Sequence, residues 1–333
     1  MNKQSTTLCV AGGSGFVGSN IVKTALAAGY RVNATLRDAS DDSKTRHLQA
    51  LPGASERLTL FSAEMTDTHS FDEAMAGADG VFIASLAPRH SGPDGTPASE
   101  MDDEQGWRDI IRPTADGCLA IMQAAARAGT ANVVICSSTS STNPPEPIAV
   151  KNELDAVSDA EEQMSRKKYT AAEKTVMERE AKAFAADNCQ RLAILLPTFM
   201  LGPTVLPQHL ERSLHASLAS MVEGRKGQHE TVPSGSISMA HIDDVATLFL
   251  AAYEQSAAEG RYFAVYDSWT WADIYSALAP HVPEAGLPAP LTGSAEEPTQ
   301  FDFTRRDSLG VTFRDIPTTL AQTVDWIKQR PFG

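Results

Sequence analysis

Positive charge and cysteine are both scarce in this chain, and each shortage narrows what the protein can be. Only 28 lysines and arginines stand against 42 aspartates and glutamates, a formal net charge of −14 over 333 residues. A nucleic-acid surface wants clustered cations, so that class of partner is disfavoured. The four cysteines, Cys9, Cys118, Cys136 and Cys189, are scattered without a CxxC pair. Reduced thiols follow, three of them in apolar surroundings, rather than a disulfide framework or a sulfur metal site. The eight histidines form no HxH or HExxH cluster, which argues against any metal site. No apolar run is long enough to span a bilayer. The opening MNKQSTTLCVAGG leaves no room for a secretory signal before the first strand. The expectation is a soluble, cytoplasmic protein with one large α/β domain, or one such domain and a smaller appendage.

What the sequence does have is rhythm. TLCVAG, YRVNATLRD, RLTLFSAEM, DGVFIASLA and ANVVICSSTSS read as strands, separated by helical patterns such as FVGSNIVKTALAAG and WRDIIRPTADGCLAIMQAAARAG. Alternation of this kind predicts an α/β fold with a doubly wound parallel sheet of Rossmann type. Two stretches break the alternation, 87–106 and 143–166, and both leave the carboxyl ends of predicted strands, where open α/β sheets bind ligands. Beyond about residue 203 the pattern loses regularity. The chain therefore divides into a dinucleotide-binding region, 1–202, and a mainly substrate-binding region, 203–333, with some segments returning to the sheet. The helical patterns at 108–128 and 166–187 are long enough to pair across a homodimer.

CVAGGSGFVGSNIV puts Gly12, Gly15 and Gly18 between the first strand and the first helix. The first permits a tight turn, the second lets backbone approach a pyrophosphate, and the third allows close helix–sheet packing. Ser14, Phe16 and Val17, in the same loop and helix start, are counted with the cofactor residues. At the end of the second strand, TLRD presents Arg37 before Asp38, with Lys44 six residues on. Two cations there favour a ribose 2′-phosphate, hence NADP(H) over NAD(H). After the third strand, Glu64, followed by Met65, is placed to accept a bond from the adenine amino group.

These motifs, with IIRPTADGCLAIMQAA, VVICSSTSSTN, LLPTFMLGP, HIDDVATLFLAAYE and LGVTFRDIPTTLAQTVDWIK in the same order, resemble the extended short-chain dehydrogenase/reductases. The similarity spans nearly the whole chain and is greatest to the dihydroflavonol reductase-like branch. It implies a nicotinamide cofactor and reversible hydride transfer at a carbonyl carbon. It also implies that Ala84 and Ser85 line the nicotinamide side and that Pro197 lies near the carboxamide. The family's catalytic set is Ser, Tyr and Lys. The resemblance points to Ser138 for the first, with Ser137, Thr139 and Ser140 close enough to compete, and to Lys174 for the last.

Here the pattern departs. Four residues before Lys174, where the resemblance puts the tyrosine, stands Thr170, and Tyr169 is one position off. On a helix a partner at i+5 lies about 140° round, almost on the opposite face. Tyr169 serves as the proton donor only if the backbone across 169–174 leaves regular α-helix, by a π-bulge or a late helix start. The expectation is such a departure, with the phenol turned toward the nicotinamide near Ser138. The reading is an NADPH-dependent reductase of ketones or aldehydes. One rival is a sugar-nucleotide epimerase or dehydratase on the same fold, for which Arg212, Arg225 and Lys226 are the cations available to hold a diphosphate. Another is an NADP(H)-binding sensor without turnover. His241 and Asp243, despite their proximity, look structural.

Overall fold

The apolar runs become the strands of a computed structural model that describes residues 3–332, with Ser213 described by its backbone alone. They are β1 (Thr7–Ala11), β2 (Arg31–Leu36), β3 (Leu58–Ser62), β4 (Gly80–Ile83) and β5 (Asn132–Cys136). After these come β6 (Val150–Lys151), β7 (Arg191–Pro197), β8 (Phe199–Leu201), β9 (Ser236–His241), β10 (Gly260–Ala264), β11 (Asp267–Thr270) and β12 (Gln300–Phe301). Seven of them form one sheet in the order β10-β7-β5-β4-β1-β2-β3, and every pairing in it is parallel. Parallel strands are covered on both faces, which is why they read as unbroken apolar runs. Leu8, Val10 and Phe82 enter one core while Cys9, Ala11, Val81 and Ile83 enter the other, as a period of two requires. The strand order reverses between β1 and β4, so a crevice opens at their carboxyl ends.

The later third of the chain builds a smaller layer around a third core that includes Leu201, Met221, Ile237 and Leu320. Its sheet runs β11-β9-β8, and the helices Ser213–Val222, Trp271–Leu278 and Ile316–Lys328 cover it. Strand β10 and the Ile242–Glu254 helix return to the main sheet and its second core. Among the described residues no helix is long and apolar enough to cross a membrane.

One helix differs from its sequence reading in a way that matters below. The pattern from Trp107 onward predicts a single α-helix, but Trp107–Ile111 form a π turn before the Arg112–Arg127 α-helix begins. The Arg112 amide reaches back five residues to the Trp107 carbonyl. Pro113 gives the reason. It has no N–H for the Asp109 carbonyl, and its ring crowds that carbonyl, so the turn ahead of it widens.

Candidate active site

The glycine loop closes on the sheet more tightly than any side chain would allow. A Cβ at Gly12 would lie 2.6 Å from the Ser85 Cα, and one at Gly18 only 2.1 Å from the Gly12 carbonyl oxygen. Gly12 also has φ +88°, which favours glycine on conformational grounds alone. This brings the end of β1 against Ala84 and Ser85, just past β4, at the point where the strand order reverses. The Ser85 hydroxyl is buried and has no hydrogen-bond partner among the described residues. A bare backbone loop feeding a 12-residue helix, beside a buried polar atom still to be satisfied, fits a dinucleotide diphosphate and its neighbouring ribose.

Further support comes from the later third of the chain. The His209 Nε2–H donates to the Ser14 carbonyl at 3.1 Å, and its ring meets Phe16 edge-on at 5.6 Å. Burial pulls the His209 pKa down to about 4, so the imidazole is neutral there. The Arg212 guanidinium lies 4.6 Å from the Phe16 ring centroid, and no acidic side chain among the described residues forms an ion pair with it. Of the three cations considered for a diphosphate, Arg225 pairs with Glu223 and Lys226 with Glu230. Arg212 alone is left beside the loop.

At the far end of the crevice the expected pair of cations is reduced to one. Arg37 is exposed, with no acidic partner among the described residues. Lys44, however, is held by Asp41 at 2.7 Å, one helical turn away, and is not free as the sequence reading assumed. Asp38, the residue that would oppose a phosphate, stays exposed and accepts from the Ser40 amide at 2.8 Å and the Ser40 hydroxyl at 2.6 Å. Those bonds hold its carboxyl below the usual range. Glu64 is exposed past β3, and Met65 lies against the Arg112–Arg127 helix at Gly117. Pro197 ends β7, buried, two strands from β4.

The strand-five serines separate by what they touch. Ser137 and Ser141 both donate to the buried Glu178 carboxylate. Glu178 in turn pairs with Arg261 at 3.0 Å, and both side chains are almost fully buried. Arg261 also donates to the carbonyls of Ser141 and Ala156, at 2.9 and 2.8 Å. That network consumes two of the competing hydroxyls and fixes the loop after β5. Ser138 escapes it. Its oxygen accepts the Ser140 amide at 3.1 Å, and its own proton remains available to a carbonyl.

The Tyr169–Asp187 helix gives the sharpest correction. It is regular from its first residue, with the Ala172 amide bonded to the Lys168 carbonyl at 2.9 Å, and no π turn lies between 169 and 174. The irregularity lies instead on its neighbour, at Trp107–Ile111. Tyr169 is fully buried and donates its hydroxyl to Asp103 at 2.7 Å. Its ring lies directly on Gly106, where a Cβ would come within 2.5 Å of it. Lys174 goes elsewhere. Its amine, also buried, donates to the Leu86 carbonyl, one residue past Ser85. The phenol and the ammonium therefore diverge, as the 140° between their positions requires. Thr170, in the tyrosine's place, donates to the Arg89 carbonyl at 2.7 Å. Glu173 accepts from the Thr114 hydroxyl at 2.7 Å and the Arg89 amide at 3.3 Å. Burial pushes its pKa up to about 7, against the opposing pull of Lys174 and those two bonds.

Residues 8–265 match the model of the NAD dependent epimerase/dehydratase family. The chain belongs to that family. A dihydroflavonol 4-reductase of Arabidopsis thaliana is 30% identical over 100% of this chain and 85% of its own length. Vestitone reductase from alfalfa superposes with a TM-score of 0.75 at 27% identity, over 97% of this chain and 98% of that one. The yeast methylglyoxal/isovaleraldehyde reductase Gre2, solved with NADPH, shares the fold at a TM-score of 0.78 and 17% identity, over 98% and 99% of the two chains. His241 lies just before the Ile242–Glu254 helix. It caps the Ile242–Glu254 helix by accepting the Asp243 amide at 3.1 Å, while Asp243 pairs with Lys23 at 2.5 Å.

Proposed function

We propose that this protein is an NADPH-dependent reductase that converts a ketone or aldehyde to the alcohol. The observation that carries it is the buried Lys174 amine at the strand-order reversal, one residue from the serine that abuts Gly12. A dihydroflavonol 4-reductase and vestitone reductase are among its relatives, and the chain covers 85% and 98% of their lengths. The glycine loop and the start of the Phe16–Ala27 helix hold the diphosphate, with Arg212 above Phe16 adding a charge. Arg37, exposed and without an acidic partner among the described residues, receives the 2′-phosphate and sets the preference for NADP(H). Bound reduced nicotinamide supplies the hydride. Lys174 holds the adjoining ribose, and Ser138 donates a hydrogen bond from its free hydroxyl to the substrate carbonyl oxygen, where negative charge develops. The His209 bond to the Ser14 carbonyl keeps the loop in place between turnovers.

The test is direct. Mixed with a panel of ketones and aldehydes, the protein should oxidise NADPH, and NADH more slowly. Tight NADPH binding with no oxidation by any carbonyl would leave a cofactor sensor, and the proposal would fail.

A further inference from the structure

We infer that Lys174 is itself the proton donor in carbonyl reduction, in place of the phenol that the family pattern puts four residues before it; this rests on the reductase reading above. A carbonyl that accepts hydride needs a proton at its oxygen, and a positioned acid at that step is worth a factor of about 100 to 10,000. Each other candidate for that acid is unfit for the step. Tyr169 is sealed beneath the 87–106 stretch, with its hydroxyl committed to Asp103 at 2.7 Å and near the Met101 carbonyl at 3.4 Å. Burial first, and then Asp103, push its pKa up to about 12, and the ring's seat on Gly106 leaves it no room to swing round. Thr170 is an alcohol already committed to the Arg89 carbonyl. The carboxyl of Glu173 is taken up by Thr114 and the Arg89 amide, toward the Arg112–Arg127 helix. The Cys136 thiol is pushed up to about 11 by burial, and Ser138 is an alcohol.

Lys174 has what these lack. Its side chain is buried at 1% exposure between the carboxyl ends of β4 and β5, close enough for its charge to act on Cys136. No carboxylate among the described residues lies within ion-pair range of it, and a single backbone carbonyl, Leu86, receives one of its three donors. With no phenol interposed, the other two N–H groups are left for the ribose and for the substrate oxygen. The step balances. The carbonyl carbon accepts a hydride with its two electrons from the reduced cofactor, which is oxidised. The carbonyl oxygen takes the proton from Lys174 Nζ, whose nitrogen keeps the former N–H bonding pair as a lone pair. The neutral amine regains a proton from solvent before the next turnover.

The test compares the wild type with Tyr169→Phe and Lys174→Ala in single-turnover NADPH oxidation, with NADP+ affinity measured calorimetrically in each. Tyr169→Phe should hold its rate within about threefold, because its hydroxyl makes only a structural bond. Lys174→Ala should fall by about 100-fold or more at saturating cofactor. Added methylammonium should restore at least about tenfold of that loss, and added guanidinium none, because guanidinium supplies charge but does not release a proton. A Tyr169→Phe protein that binds NADPH but does not turn over would overturn the inference. So would rescue of Lys174→Ala by guanidinium as well as by methylammonium. A wild type that oxidises no NADPH takes down the reductase reading, and this inference with it, and so is distinguishable from those two outcomes.

Discussion

Replacing Glu173 by glutamine should change how stability responds to pH, in a direction and size that follow from its surroundings. The carboxyl is fully buried beside Lys174, and its pKa rises from 4.5 to about 7 on folding. A carboxyl with a raised folded pKa binds more protons in the native state than in the unfolded chain between those two values. Its contribution to stability is therefore intact below 4.5 and is lost as pH climbs through 7. At 1.36 kcal/mol per unit, integration from pH 5 to pH 8 gives a loss of about 2 to 3 kcal/mol from this group alone. Buried histidines run the other way. His209, His215 and His241 are pulled down to about 4, so they cost stability in acid and recover it as pH rises toward 6.5. Both proteins share them, so they cancel in the difference. Glutamine keeps an acceptor for Thr114 or the Arg89 amide and cannot ionise. The assay is urea denaturation of wild type and Glu173→Gln at pH 5 and pH 8, without cofactor. The stability difference should move in favour of the variant by about 2 to 3 kcal/mol over that interval. A difference that stays constant with pH would show that Glu173 is charged when folded and would refute the reasoning.

Other consequences are simpler to state. Arg37→Ala should weaken NADP+ binding by about 10- to 100-fold, the worth of one charge-assisted bond, and leave NAD+ binding unchanged. Calorimetric titration of both cofactors checks it, and an equal loss for both would remove Arg37 from the 2′-phosphate. Arg261→Met should destabilise the protein by about 3 to 5 kcal/mol, because it strands the buried Glu178 carboxylate beneath Ser137 and Ser141. A urea-denaturation loss below about 1 kcal/mol would show that the loop after β5 does not depend on that pair.

Most of the fold was legible because parallel strands and their connecting helices announce themselves locally. The run of apolar residues in TLCVAG, the glycines at 12, 15 and 18 and the following helix needed no distant partner to be read, and the strand order agrees with them. The site was legible only in part. Lys44 sits three residues after Asp41, a spacing that brings the two together on one helical turn, and that capture was open to inspection in the sequence. The bond from the Ser40 hydroxyl to the Asp38 carboxylate belongs to the same class of local signal. The π turn also had a visible cause in Pro113, although the sequence reading placed the irregularity on the wrong helix. What sequence alone does not disclose is the direction of Tyr169. That depends on Asp103 and Gly106, more than 60 residues earlier within or beside an irregular loop, and only the folded chain brings them under the helix start. The odd spacing of Tyr169 and Lys174 records a real divergence rather than a hidden compensation.

A carbonyl reductase makes a net hydride transfer to the carbonyl carbon, and an isotope label follows that atom. NADPH carrying deuterium at the transferable position of the nicotinamide should be incubated with the protein and a carbonyl compound, and the alcohol isolated. The account predicts one deuterium on the carbinol carbon for each cofactor oxidised. Deuterium retained in the reduced cofactor, with no labelled alcohol formed, would contradict it.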